Sequence, residues 1–152
     1  MDISIFFSEL ESLFKKIGLE TATLKGEEPQ LGDTLRILLP VTEEGNVVLT
    51  ELLAAPYNED VILLQIYSTM IAEIGPGYEA LKEMLLDWNL SCPVGAFGIY
   101  RQGRQFYHKY NYLMPTDQDP DQMAMEIFYV VHLVGEVISP FLSDALRLSE
   151  TV

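Results

Sequence analysis

Apolar residues at Ile3, Phe6, Phe7, Leu10, Leu13, Phe14 and Ile17 recur at helical spacing and predict an amphipathic helix over residues 2–17. Asp2 can cap it, Lys15 and Lys16 suit its negative end, and Gly18 suits the position just beyond. Residues 20–33 are polar, contain Gly and Pro, and read as a connector. Three segments rich in Val, Ile, Leu and Thr follow: Thr34–Leu39, Asn46–Ala55 and Val61–Ala72. The turn-forming stretches Thr42-Glu43-Glu44-Gly45 and Tyr57-Asn58-Glu59-Asp60 separate them, so an antiparallel meander is expected. The third strand would approach ~40 Å at ~3.3 Å per residue and should bend or twist strongly.

Gly75-Pro76-Gly77 ends the meander. A helix is predicted over Tyr78–Leu90, with Leu81, Met84, Leu85 and Trp88 on one face, and Ser91-Cys92-Pro93 stops it. Residues 94–113 then read as two strands around Gln102-Gly103. With those two at the turn centre, Arg101 faces Arg104, Ile99 faces Phe106, Phe97 faces His108 and Gly95 faces Tyr110 on a core side. Tyr100 faces Gln105, Gly98 faces Tyr107 and Ala96 faces Lys109 on an outer side, where Tyr107 can lie over Gly98. A longer loop would exchange the two faces. After the acidic loop Thr116–Asp119, a last helix is expected from Pro120 to about Leu146, capped by Asp119 and kinked at Pro140. It is apolar nearly all round and needs two burial partners: the sheet, and a helix, a second subunit or a client protein.

These elements define one α+β domain over residues 1–152, ordered α-βββ-α-ββ-α, with an antiparallel curved sheet packed against helices. The length suits a single core without disulfides or metal. One cysteine, Cys92, cannot form an internal bridge, which fits a cytoplasmic location. The first residues lack the order of a signal peptide, and the apolar stretches Val61–Ile74 and Ile127–Leu142 are short for a membrane span. A net charge of −14 argues against nucleic acid and anionic membranes as partners.

Candidate chemistry is sparse. Arg101, Arg104 and Lys109 cluster in the hairpin beside His108 and several aromatics, with no phosphate-binding loop. His108 and His132 are in no metal-ligand spacing, and each reads as structural. Cys92 has no neighbouring base in sequence and reads as a packing residue. The acids from Asp117 to Asp121 lack the loop pattern and closing Glu of a calcium site. No cofactor, metal or catalytic set is therefore expected; an enzyme would have to use His108 with Tyr107 or Tyr110.

The element order resembles that of type III secretion chaperones and of the related YbjN-type bacterial proteins, a family of sensory transduction regulators. Small size and low pI fit the chaperones. The segment Asn89–Leu113, a helix ending in Asn-Leu before a Gly- and aromatic-containing hairpin, is the most YbjN-like part. The resemblance covers about residues 2–147. It implies a non-catalytic, commonly homodimeric protein that holds a partner segment on apolar grooves or strand edges. Phe6, Leu10 and Phe14, with Val137 and Phe141, are the helical interface candidates; Tyr100, Tyr107 and Lys109 are those of the hairpin. The alternative is a small-molecule-binding regulatory domain with a pocket between sheet and helices.

Overall fold

The computed structural model describes residues 1–26 and 32–151. Helix α1 spans Ile3–Lys16, and the Asp2 carboxylate accepts from the Ile5 N–H at 3.1 Å. Its end is closed by Gly18 at φ +83°, whose N–H donates to Lys15 O while Leu19 N–H donates to Phe14 O. That paired closure requires a left-handed residue, which glycine adopts without strain.

Strand β1, Thr21–Leu24, lies within the stretch predicted as a connector. The Glu11 carboxylate of α1 accepts from the Thr21 and Thr23 hydroxyls at 3.1 and 2.9 Å, which fixes these few residues against β2. Residues 27–31 of the predicted connector lie outside the described residues. Strands β2 (Thr34–Pro40), β3 (Val47–Pro56) and β4 (Val61–Ile71) form the expected antiparallel meander. A register shift between Thr69 and Ile71 turns Met70 and Ile71 both inward, an irregularity of the kind that bends a long strand.

Helix α2 (Tyr78–Ser91) leads to β5 (Ala96–Tyr100) and β6 (Gln105–Pro115). The sheet order is β1-β2-β3-β4-β6-β5, and every neighbouring pair is antiparallel. Helix α3 runs from Pro120 to Ser149, with Asp119 accepting from the Asp121 N–H at 2.8 Å and Pro140 inside the helix. Its extra turn beyond Leu146 has a partner. Gly77 N–H donates to Ser149 O at 2.9 Å, and Gly75 N–H to Ser149 Oγ at 2.9 Å. The α+β fold class and the order of helices and main strands are those expected.

One sheet face carries the core. Leu35, Ile37, Leu52, Leu64, Ile66 and Phe106 meet Phe6, Leu10 and Phe14 of α1 and Ile127, Val131, Val134 and Ile138 of α3, all fully buried. This corrects part of the interface expectation. Phe6, Leu10 and Phe14 belong to the chain's own core, because α1 spends its apolar stripe on α3 and the sheet. The Phe14 ring lies 5.1 Å from that of Phe128 and 5.9 Å from His132. Val137 is also buried, and Phe141 packs inward on Phe97 and Trp88 at 4.8 and 5.6 Å. None of the five offers much surface to a partner.

Candidate functional site

The β5–β6 pairing has the register that alternation predicts: Phe97 with His108, Ile99 with Phe106, Gly98 with Tyr107, Tyr100 with Gln105 and Ala96 with Lys109. Phe97, Phe106 and His108 are buried. Tyr100 is 53 % exposed on the opposite face, where Tyr107 and Lys109 are half-buried. The Tyr107 ring covers Gly98 so closely that a Cβ there would lie 2.5 Å from its hydroxyl.

The turn differs from a simple two-residue hairpin. Arg104, not Gly103, takes the left-handed conformation, at φ +50°. Its neighbours hold it there. Arg104 Nε donates to Ile74 O at 3.2 Å, a terminal nitrogen donates to Gly75 O at 3.0 Å, and the guanidinium sits 4.7 Å over the Tyr78 ring. Arg104 thus ties the hairpin tip to the segment before α2 and is not a free cation awaiting an anion.

The helices pack on the core side, and among the described residues nothing covers the outer sheet face. Thr34, Glu51, Leu53, Gln65, Tyr67, Tyr100 and Gln105 shape an open dish of about 460 Å³ there. Tyr67 is its fixed point. Its ring stacks on Tyr107 with centroids 4.7 Å apart, and its hydroxyl donates to Gln105 Oε1. Burial, with Tyr107, Glu51 and Tyr100 nearby, pushes the Tyr67 phenol up to about 12. Tyr100 donates its own hydroxyl to Gln102 Oε1 at 2.8 Å. Glu51 pairs with Arg36 Nε at 2.9 Å. No local sequence pattern announces the dish, because its residues come from β2, β3, β4, β5 and β6.

Beneath the hairpin, His108 Nε2–H donates to Val94 O at 2.7 Å, and Cys92 Sγ lies 3.8 Å from the same nitrogen. Sequence separation hid this pair. It is not arranged as a nucleophile with its base. The ring nitrogen nearest the sulfur is occupied as a donor, and burial pushes the Cys92 thiol up and the His108 imidazole down. Both groups are therefore held neutral. His108 Nδ1 is buried and has no partner among the described residues. Its hydrogen bonds reach neither Tyr107, on the other face, nor Tyr110. His132 donates from Nδ1 to Phe128 O at 2.7 Å and stacks on Phe14, the structural role expected. Among the described residues no group of three or more His, Cys, Asp or Glu is placed to hold a metal.

Two helical surfaces complete the picture. Met125, Tyr129 and Leu133 line up along α3 at 43, 64 and 46 % exposure, and Leu86 and Leu90 of α2 are 72 and 80 % exposed. Helix α3 is long and apolar enough to cross a bilayer by length and composition, yet its inner residues form the centre of the core. No family model matches the chain, and no curated protein matches it.

Proposed function

We propose that the chain is a cytoplasmic, non-catalytic protein-binding module, chaperone-like or regulatory, that works as a homodimer and holds a partner protein on its apolar helical surface. The observation that carries this reading is the outward stripe Met125, Tyr129 and Leu133, one residue per turn on the longest helix. Aligned apolar anchors of this kind fit a groove or a facing helix. Solvent exposure of large side chains in a continuous line is otherwise a solubility liability. Phe6, Leu10 and Phe14 are not part of it, being core.

Crosslinking of the purified chain, followed by light scattering, tests the dimer. Tyr129→Glu with Leu133→Glu is expected to yield a folded monomer and to lose partners retained by the unaltered chain. A folded double variant that retains both dimer and partners overturns the reading. A second reading, a small-molecule-binding regulatory domain, is favoured by the dish on the outer sheet face rather than by a pocket between sheet and helices.

A further inference from the structure

We propose that the dish on the outer sheet face binds a small quaternary ammonium compound that carries no carboxylate, of the choline type. This rests on the second reading above and is independent of the helical docking surface.

The lining selects for charge and against hydration. Tyr67 and Tyr100 supply two aromatic walls, Leu53 supplies apolar surface, and among the described residues Glu51 supplies the carboxylate. Aromatic faces attract cations through the ring quadrupole, most strongly when both partners are desolvated. Tyr67 is fixed for that purpose. One ring face rests on Tyr107, which leaves the other for a ligand, and its hydroxyl donates a hydrogen bond to Gln105 Oε1. A phenol that donates a hydrogen bond while keeping its proton has a more electron-rich ring. Tyr100 likewise donates to Gln102 Oε1, so both rings are oriented through their hydroxyls.

Other ligand classes fit less well. A divalent metal requires several oxygen donors, whereas Gln105 Oε1 is engaged by Tyr67 and Glu51 shares its charge with Arg36. An anion meets the Glu51 carboxylate, and among the described residues no cationic side chain lines the dish. A primary ammonium demands hydrogen-bond acceptors for each of its N–H groups. A methylated ammonium demands none and presents an apolar skin to Leu53 and the rings. Arg36 and Lys109 are the cations adjacent to this region: Arg36 holds Glu51, and Lys109 stands opposite Tyr67 on β6. Arg36 therefore competes with the ligand for the carboxylate.

The test is titration calorimetry and amide-shift mapping of the full chain with choline chloride and tetramethylammonium chloride at constant ionic strength. The neutral control is 3,3-dimethylbutan-1-ol, the carbon isostere of choline. Choline is expected to bind about tenfold more tightly than the isostere. Tyr100→Ala and Glu51→Gln should each weaken choline about tenfold, and Arg36→Met should tighten it a few-fold by releasing Glu51. Circular dichroism confirms that each variant folds. Equal binding of isostere and choline overturns the proposal while leaving a small-molecule site that reads shape. Absence of saturable binding, or choline affinity unchanged in Tyr100→Ala, overturns it as well. Tyr129→Glu should leave choline binding intact, which keeps this result separate from the fate of the protein-docking surface.

Discussion

The side-chain amide of Asn89 holds both backbone polar groups of Phe97. It donates to the Phe97 carbonyl at 3.0 Å and accepts from the Phe97 N–H at 2.7 Å. Phe97 sits on β5, the edge strand, and these two groups point away from β6. A carboxamide at the end of α2 thus stands in for a neighbouring strand. An open edge is a template for pairing with another chain, and this one is closed at its centre.

Asn89→Ala is expected to leave both Phe97 groups unpaired and to cost about 1–3 kcal/mol, measurable by urea unfolding. The opened edge should also raise self-association, visible in light scattering. An Asn89→Ala chain of unaltered stability and association would show that solvent satisfies the edge equally well.

His108 gives the fold a defined acid response. Its imidazole is buried, donates to Val94 O, and among the described residues has only the neutral thiol of Cys92 as a titratable side chain within hydrogen-bonding distance. Burial lowers its folded pKa below the ~6.5 of the unfolded chain. Between those two values the unfolded state binds more protons, so stability rises with pH there. The contribution is full above ~6.5 and is lost as pH falls toward the folded pKa. Unfolding free energies between roughly pH 7 and 5.5, above most carboxylate titration, should decline in the unaltered chain. The same series on His108→Leu should be flatter, whatever its absolute stability. Parallel pH slopes in the two proteins would contradict the assignment.

Gly77 is where the start of α2 meets the end of α3. A Cβ there would lie 1.7 Å from the Leu148 carbonyl oxygen, which is backbone and cannot swing aside. Gly77→Ala should therefore undock the last turn of α3 and cost at least ~2 kcal/mol. Gly45, at φ +88° with open space around it, is the control. Gly45→Ala meets only the left-handed backbone penalty, of about 1 kcal/mol. Thermal melting of the two variants should rank Gly77→Ala well below Gly45→Ala, and the reverse order would refute the docking role.

Features with a local signature were legible before the structure. Alternation on either side of Gln102-Gly103 points to the observed register, with the exchanged faces of a longer loop, which would bury Lys109 and expose Phe106, as the alternative. Caps at Asp2 and Asp119 marked two helix starts. Features built by distant residues were not. The apolar stripe of α1 shows that a face is buried but not against what, so from sequence Phe6, Leu10 and Phe14 suit a partner interface as well as the α3 and sheet contacts they make. β1 is four residues held by Glu11, too short to show a period. Cys92 meets His108, and Gly77 meets Ser149, only after the chain has turned back. The dish draws on five strands and has no pattern in any one of them.

Arg104 sets a strained backbone against side-chain anchorage. Its φ of +50° costs about 1 kcal/mol relative to the right-handed regions. Against this stand two hydrogen bonds, to Ile74 O and Gly75 O, and the contact with the Tyr78 ring. Partly exposed, these contribute roughly 2 kcal/mol together. Arg104→Gly removes strain and anchors alike and should destabilise by about 1 kcal/mol. Arg104→Ala keeps the strain and loses the anchors, so it should destabilise by about 2 kcal/mol. The expected order in chemical denaturation is Arg, then Gly, then Ala. A glycine variant more stable than the parent would mean that strain, not anchorage, dominates the hairpin tip.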